Sequence, residues 1–436
     1  MPYTRNPVAG ADAALWAATA VPAPETRRLD ADQHCDIAIV GAGFTGLNAA
    51  IELAQRGVQV CVLEAGPLGT GASGRSGGQV NQGLNLSPSQ LLSRFGSDAG
   101  QRMVATVLGA PARVFDNVSR LGLDCDAVQA GWIQAAVTQQ RFAAQKLAAE
   151  EYIAHGAEFS VLERDALAQA SGADGFVGGT LCHAAGSIHP LSYTRELARV
   201  AIDLGTSIFT NSLISDLQAH NTGWKLVGER ATVMADKVLL CTNAYTDALW
   251  PGLAERIVPV RSVLAATEPL SDNLRATILP GEVTFVDKRR LILYCRYDRD
   301  GRLCIGDHGP LRDNFTAADF DRVKRRALEV FPQLAGTRWE YHWGGRVGMT
   351  KTSLPFLCQP APGLIAAMGY NGRGVAMGSK LGEVAAGFAI DNDAEQCAFP
   401  VTEPRAFFGH RWHPPGIKLA LAWHGLQDYL ESRRER

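Results

Sequence analysis

The strongest constraint on the fold of this chain lies in residues 36–64, where a short apolar run leads directly into a glycine-rich turn. The turn reads Gly-Ala-Gly-Phe-Thr-Gly at 41–46, and an amphipathic helix and a second apolar run follow it, ending in Glu64. The first glycine permits a tight turn, the second lets the backbone approach a pyrophosphate, and the third lets the helix pack closely on the strand. This spacing, in a strand–helix–strand context, predicts a dinucleotide site in which Glu64 accepts hydrogen bonds from a ribose.

The bulk properties of the chain narrow the class of protein. Its 436 residues, 46% of them hydrophobic, predict two or three domains with large cores. A formal net charge of −2 gives no electrostatic footprint for nucleic acid, so we expect no nucleic-acid partner. The nine cysteines form no CxxC pair and no zinc-ligand spacing with histidine, so we expect no metal site. We expect the cysteines to be reduced, buried thiols in a cytoplasmic protein. No run of residues is long and apolar enough to span a bilayer.

Patterning along the chain predicts two domains whose segments interleave. Residues 206–240 and 283–308 alternate short apolar runs with turns, as strands do, whereas 100–122 and 137–155 have helical spacing. We therefore predict an α/β nucleotide-binding domain, discontinuous in sequence, with an inserted α+β domain built on an antiparallel sheet. The predicted segments are an N-terminal arm at 1–35, the nucleotide domain at 36–90, 156–250 and 345–436, and the second domain at 91–155 and 251–344.

A second glycine-rich run follows Glu64 almost at once. Residues 69–79, called the glycine-rich loop below, contain five glycines interleaved with serine, arginine and glutamine. Such a run forms neither a helix nor an ordinary strand, so it is either a flexible surface loop or a segment that lies flat against a planar group. The hydrogen-bonding side chains favour the second interpretation, and Arg75 is suited to binding a pyrophosphate.

A third run, at 363–389, repeats the order of strand, glycine-rich turn and helix. It predicts a second helix N-terminus directed at a ligand, with the anion-binding character that such termini have. Two termini of this kind fit a long cofactor better than a short one. One would hold a diphosphate, and the other would face a ring that becomes anionic on reduction.

Together these motifs resemble the flavoprotein family of D-amino-acid oxidase and monomeric sarcosine oxidase. Within that family the chain is most similar to bacterial gamma-glutamylputrescine oxidoreductases and their L-pipecolate-oxidase relatives, over residues 12–430. The stretches that carry the resemblance are GAGFTGLNAA (41–50), GASGRSGGQ (71–79), GSIHPL (186–191), CTNAY (241–245), Pro259 with ATEPL (266–270), WGGRVGMTKTSLP (343–355) and GYNGRGVAMGSKLGE (369–383).

The resemblance implies bound FAD in a Rossmann-like domain of the glutathione-reductase/D-amino-acid-oxidase type, with an inserted antiparallel-sheet substrate domain. It implies a ribose contact for Glu64, an adenine contact from the backbone of Ile214, a place beside the flavin for 72–79, and contacts to the pyrimidine side of the ring for 372–375. The positions that match the family's FAD contacts are Gly41, Gly43, Phe44, Thr45, Gly46, Glu64, Ala65, Gly71, Ala72, Ser73, Arg75, Ser76, Gly77, Gly78, Gln79, Ile214, Thr242, Asn243, Gly372, Arg373, Gly374 and Val375.

Five further residues are candidates for the catalytic site. The reaction implied by the resemblance is hydride removal from the carbon beside an amine nitrogen, which needs no obligatory general base, so these residues would position the substrate. His189 is either a site residue or a helix cap. Tyr294 and Arg296 alternate along one predicted strand, and Arg296 would bind a substrate carboxylate or else form a surface salt bridge. Arg346 would line the cleft, and Tyr370, just before the flavin-facing turn, would cover the ring.

Two departures from the family pattern bear on the chemistry. Sarcosine-oxidase-type enzymes tether flavin through a cysteine in the segment that matches 343–352, where this chain has none, so we predict non-covalent FAD. Those enzymes also place a lysine near the flavin for oxygen reduction, and the corresponding strand here offers Cys304 instead. The electron acceptor is therefore either oxygen or a quinone or electron-transfer partner.

The leading hypothesis is an FAD-dependent oxidase or dehydrogenase acting on the C–N bond of an amine or secondary amino acid, with gamma-glutamyl amines and L-pipecolate as the favoured substrates. The alternatives are a hydroxy-acid or alcohol dehydrogenase on the same scaffold and a non-catalytic flavoprotein subunit. The apolar, arginine-ended segment 415–436 is either a helix docked on the protein or a peripheral contact with the inner membrane.

Overall fold

The computed structural model describes residues 14–403 and, past them, Ala406, His410 and several positions between 416 and 428. In this part the strands are β1 Gln33–Val40, β2 Val60–Leu63, β3 Gln79–Val80, β4 Trp132–Ala136, β5 Phe159–Glu163, β6 Gly178–Cys182, β7 Gly186–Ser187, β8 Ser207–Phe209, β9 Ile214–His220, β10 Gly223–Gly228, β11 Thr232–Leu240, β12 Val258–Pro269, β13 Thr284–Asp287, β14 Tyr294–Tyr297, β15 Arg302–His308, β16 Trp339–Met349, β17 Phe356–Ala361 and β18 Leu364–Met368. The α-helices are α1 Leu15–Thr19, α2 Phe44–Gln55, α3 Pro88–Phe95, α4 Ser97–Leu108, α5 Ala110–Leu121, α6 Gln139–Ala154, α7 Arg164–Ser171, α8 Pro190–Asp203, α9 Asp272–Arg275, α10 Ala317–Val330 and α11 Ala376–Asp391.

The first sheet has the strand order β17-β18-β11-β1-β2-β8, and the hairpin β9–β10 adds to β11. The pairings from β18 through β11, β1 and β2 to β8 are parallel, whereas β17 and the hairpin pair antiparallel with β18 and β11. Alternate residues of a strand face opposite sides, so Ile37 and Ile39 enter the core beneath helices α2, α8 and α11, whereas Ala38 and Val40 enter the core beneath the hairpin. Burial on both faces explains the continuous apolar run in β1.

The second sheet has the strand order β16-β12-β15-β14-β13-β4-β6-β5 and is antiparallel except between β13 and β4. Helix α10 covers one face with Phe320, Val323 and Ala327, which are the apolar positions of its helical repeat. The predicted fold class, an α/β domain with an inserted antiparallel-sheet domain, is confirmed.

The two sheets do not follow the segment boundaries that the sequence predicts. Strands β5 and β6, within the segment 156–250 predicted for the nucleotide domain, pair in the second sheet, and β16 extends in that sheet to Met349. Helices α4 and α5, within the predicted second-domain segment 91–155, pack into the core of the first domain through Val104 and Val114. Periodicity predicts the type of an element but not its partner, which long-range packing decides.

Both ends of the described chain are docked. Trp16 in α1 is fully buried, and the described positions between 416 and 428 are helical. Asp428 accepts hydrogen bonds from the backbone of Leu291 at 3.1 Å and from Arg290 at 3.2 Å, which holds this segment on the second domain. The rest of the predicted helix at 415–436 lies outside the described residues. Among the described residues, no helix is long and apolar enough to cross a membrane.

Candidate functional site

The carboxyl ends of the parallel strands β1, β2, β11 and β18 meet at one edge of the first sheet, which is where ligands bind in open α/β sheets. This edge brings together the turn at 41–46, Glu64, the segment that begins with Thr242, and the turn at 369–375. Asn243, which has a φ of +44°, accepts a hydrogen bond from Gly369 N at 2.9 Å and so joins two of these turns.

The turn at 41–46 has the geometry that its glycines predict. Gly41 has a φ of +105°, a conformation that side chains rarely adopt. A Cβ on Gly46 would lie 2.0 Å from the carbonyl oxygen of Gly41, so only glycine lets α2 lie this close to β1. A Cβ on Gly43 would lie 2.8 Å from Ser73 Oγ and would narrow the space between the turn and the glycine-rich loop.

The N-terminus of α2 presents backbone donors at this edge. Ala42 N donates to Glu64 Oε2 at 2.9 Å, and Phe44 N donates to Ser73 Oγ at 3.0 Å. Burial raises the pKa of Glu64, and the backbone donors around its carboxylate oppose that rise. The backbone N–H groups here donate to side-chain oxygens, and a phosphate oxygen can take the place of such an acceptor. This helix N-terminus is therefore suited to binding a phosphate. Ile214 begins β9 beside this site, since Ser212 N donates to the carbonyl of Glu64 at 2.9 Å.

The glycine-rich loop connects the two domains. One end contacts α2 through Ser73, and the other reaches the second sheet, where Tyr294 lies so close to Gly77 that a Cβ there would be 2.6 Å from its ring. The hydroxyl of Tyr294 is 2.9 Å from Ser262 Oγ, and burial raises the pKa of Tyr294 to about 12. Gln79 donates to the Cys295 carbonyl at 3.0 Å. A cofactor that begins at the turn at 41–46 and extends toward the second domain would run along this loop.

Arg296 and Arg75 make different contacts from those the sequence predicts. Arg296 donates to the carbonyls of Gly77, Tyr297 and Ile188 at 2.8, 2.8 and 2.7 Å. Each of its three nitrogens therefore donates to a backbone carbonyl, two of them beside or within the glycine-rich loop, so Arg296 holds the loop. Arg75 is 5% exposed and donates to the Thr70 carbonyl at 2.8 Å, so this bond lies within the loop itself.

His189 is the N-cap of α8, which is the alternative that the sequence left open. Its Nδ1 accepts from Ser192 N at 3.1 Å, and its Nε2 is 3.0 Å from Thr19 Oγ1, so both ring nitrogens have partners. Burial, together with nearby Arg296, lowers the pKa of His189 to about 3. The ring is therefore neutral at physiological pH and has no open nitrogen for a substrate.

Tyr370 and Arg346 also have structural partners. The hydroxyl of Tyr370 is 2.6 Å from Thr45 Oγ1 and donates to the Ala367 carbonyl at 3.0 Å, so this buried residue joins the first turn of α2 to β18 and does not cover an open face. Arg346 forms two hydrogen bonds with Asp313. Burial alone would raise the pKa of Asp313, but Arg346 and Arg261 lower it to about 2, so the pair is ionised.

A cluster of cations that the sequence did not single out as a unit lies where the second sheet meets the turn before α11. Arg373 lies with its guanidinium 4.6 Å from the ring centroid of Trp132, and its buried Nη1 has no hydrogen-bond partner among the described residues. Burial, and then the charges of Arg373 and Arg141, lower the pKa of Lys288 to about 8. Trp132, Lys288 and Arg373 are called the cationic cluster below.

The sequence contained only a weak signal for this cluster. Arg373 was expected among the flavin contacts, but Trp132 lies in an unremarkable strand, and Lys288 opens a short basic run after β13. Trp132 pairs with Thr284 in the parallel pairing of β4 with β13, and Lys288 follows β13, while Arg373 reaches Trp132 from a distant part of the chain, so no local pattern marks the cluster. In the described part of the chain, no group of three or more His, Cys, Asp or Glu side chains could hold a metal ion.

Comparisons with known proteins agree with this geometry. The family model described as DAO, FAD dependent oxidoreductase, matches residues 36–387. A probable oxidoreductase, OrdL of Haemophilus influenzae, is 30% identical over 387 residues, which cover 87% of this chain and 88% of that protein. Gamma-glutamylputrescine oxidoreductase of Escherichia coli is 28% identical over 404 residues, covering 91% and 93%. The crystal structure of glycine oxidase from Geobacillus kaustophilus superposes with a TM-score of 0.72 at 21% identity, covering 85% of this chain and 99% of that one.

This chain therefore belongs to the DAO family of FAD-dependent oxidoreductases, and the family resemblance and the FAD cofactor predicted from its motifs are confirmed. The residues present fit that cofactor. In the turn at 41–46, a Cβ on Gly43 or Gly46 would fill the space that these glycines leave open. The backbone donors at the N-terminus of α2 lie at this turn, and the glycine-rich loop leads from it to the second domain.

We predict that Gly46→Ala abolishes most FAD binding, because the added Cβ would force α2 away from the Gly41 carbonyl. The flavin absorbance of the purified protein, measured relative to its protein absorbance, checks this prediction. Gly387→Ala is the matched control, since a Cβ at this helical position of α11 meets nothing within 4 Å. Normal flavin content in the Gly46→Ala protein would contradict the prediction, and circular dichroism would establish that both variants fold.

Proposed function

We propose that this enzyme oxidises the C–N bond of an amine or secondary amino acid that carries a carboxylate, with gamma-glutamyl amines and L-pipecolate as the favoured substrates. The observation that carries the proposal is the cationic cluster beside the turn at 369–375. The Arg373 guanidinium against the Trp132 indole, with the charge of Lys288 close enough to interact with it, favours an anionic group, because charge-assisted hydrogen bonds are strong where water is excluded.

The same cluster favours an amine as the reacting group. Nearby positive charge disfavours the protonated form of a substrate amine, so the amine binds with its lone pair free. That lone pair forms the C=N bond as hydride leaves the adjacent carbon and the nitrogen loses its proton, and water then hydrolyses the imine. The bound FAD supplies the acceptor for the hydride.

We assign the residues of this chain to binding and orientation. The turn at 41–46 and Glu64 hold the diphosphate and adenosine portions, the glycine-rich loop lies beside the flavin, and the residues 372–375 face its ring. Arg373 binds the substrate carboxylate at the end of this turn, and Trp132 shields the ion pair from water. The names of the Escherichia coli and Geobacillus relatives support a nitrogen-bearing substrate, and the first relative's substrate is a gamma-glutamyl amine with a free carboxylate.

We further propose that the FAD is held without a covalent bond. Among the described cysteines, Cys358 follows the 343–352 segment most closely, but it is fully buried in β17 and pairs there with Ala366. Acid precipitation of the purified protein should release all of its flavin into the supernatant. Yellow colour retained in the washed precipitate would identify a covalent tether.

Anaerobic mixing of the purified enzyme with gamma-glutamylputrescine, L- and D-pipecolate, proline, sarcosine, simple amines and lactate tests the function. We expect a carboxylate-bearing amine to bleach the flavin absorbance, and the imine-derived carbonyl product to appear with it. Fast recovery in air would identify an oxidase, and slow recovery a dehydrogenase. Bleaching by lactate alone would overturn the proposal in favour of a hydroxy-acid dehydrogenase, and no bleaching would overturn it in favour of a non-catalytic flavoprotein.

We predict that Arg373→Ala raises the KM for L-pipecolate by about tenfold to a hundredfold, because a charge-assisted hydrogen bond contributes roughly 1.5–3 kcal/mol. The KM for piperidine, which lacks only the carboxylate, should stay within a factor of about two. Arg230→Ala is the control variant, since Arg230 forms only an exposed pair with Asp30. Equal losses for both substrates would remove the carboxylate role from Arg373.

The pH dependence of anion binding gives a second measurement of the same cluster. Because the lowered pKa of Lys288 lies at about 8, its ammonium group is charged below that pH and neutral above it. The affinity for cyclohexanecarboxylate, an isostere of pipecolate without the amine, should therefore fall as the pH rises through about 8, as measured by perturbation of the flavin spectrum. Lys288→Met should flatten this dependence. A fall that persists in Lys288→Met would assign the titration to another group.

A further inference from the structure

The glycine-rich loop is held by four consecutive carbonyls, each bonded to a different segment of the chain. The four bonds are Trp343 Nε1 to Arg75 O at 3.0 Å, Trp16 Nε1 to Ser76 O at 2.9 Å, Arg296 Nε to Gly77 O at 2.8 Å and Ile188 N to Gly78 O at 2.8 Å. Three of the donors come from regions that the family model covers, whereas Trp16 lies before residue 36, where the match begins. One bond to this loop is therefore supplied by the N-terminal arm.

The Trp16 bond fixes the direction of a neighbouring amide. In a trans peptide the carbonyl of one residue and the N–H of the next lie in one plane and point in opposite directions. The Ser76 carbonyl points toward Trp16, so the Gly77 N–H points away from the arm. No described residue accepts a hydrogen bond from this N–H. The arm thus directs an available donor of the glycine-rich loop.

The position of Trp16 is itself strongly determined. Its side chain is fully buried, with the Arg296 guanidinium 4.6 Å from its ring centroid and the Trp343 ring 5.4 Å away, edge-on. The residues that follow are bound to α8, where Arg195 Nη1 donates to the Val21 carbonyl at 2.6 Å. A side chain held on this many sides presents its indole N–H in one direction only.

We propose that Trp16 is a positioning residue of the flavin site, and that the N-terminal arm orients the Gly77 N–H toward an acceptor on the bound flavin. The loop ends against Tyr294 in the second sheet, on the path that a cofactor from the turn at 41–46 would follow. The arm acts through the loop and does not itself touch the flavin. This assignment is independent of the substrate and holds for any reaction that the bound FAD performs.

The test compares Trp16→Phe, which keeps an aromatic ring but removes the indole N–H, with Trp224→Phe, which makes the same change elsewhere. Trp224 is a matched control, because it is 5% exposed, donates to the Pro362 carbonyl at 3.2 Å and packs edge-on against Trp250, all away from the loop. The dissociation constant of FAD from each apoprotein, the shape of the visible flavin spectrum and the midpoint potential of the flavin are measured, together with the Tm.

We expect Trp16→Phe to raise the FAD dissociation constant by about tenfold and to shift both the flavin spectrum and its potential, since it leaves a buried carbonyl unpaired. Trp224→Phe should lower the Tm but leave the FAD dissociation constant within a factor of about two. Wild-type affinity, spectrum and potential in Trp16→Phe would overturn the proposal. Equal weakening in both variants would also overturn it, because the effect would then be one of general stability.

Discussion

The glycine-rich loop at 69–79 is the constraint on which the rest of the site depends. Its glycines let the backbone approach α2 at one end and Tyr294 at the other, and its carbonyls take donors from the arm, from two strands of the second sheet and from the segment before α8. A buried carbonyl without a partner costs roughly 1–3 kcal/mol, so each of these donors constrains the loop. The two sheets are therefore fixed relative to each other at the place where the cofactor must pass.

This arrangement explains why residues that look catalytic in the sequence have structural roles. Arg296, His189 and Tyr370 are polar and close to the site, and each forms hydrogen bonds with backbone or side-chain partners that hold the structure. Hydride transfer to a cofactor does not need a protein acid or base at each step. These buried polar groups can therefore hold the residues around the cofactor in fixed positions. Such rigidity is needed to orient the reacting atoms.

Local sequence predicted those parts of the structure that local geometry determines. The turn at 41–46 and the turn before α11 were predictable because each is a strand, a glycine-rich bend and a helix in immediate succession. The cationic cluster was not, because Arg373 reaches Trp132 from a distant part of the chain, and Lys288 comes near only through the pairing of β4 with β13. The placement of β5 and β6 in the second sheet and the contact of Trp16 with the loop depend on packing of the same long range, which no motif encodes.

The cationic cluster has an energetic consequence for the enzyme without substrate. Burial disfavours each charge and like charges repel, which is why the pKa of Lys288 falls. In addition, the buried Arg373 Nη1 has no hydrogen-bond partner among the described residues. An enzyme keeps such a destabilising arrangement where function needs it, and stability elsewhere in the fold offsets the cost. In the proposed function, the carboxylate of a bound substrate would pair with the Arg373 Nη1 and offset the repulsion between the two cations. This pairing would favour a carboxylate over a neutral group of the same shape.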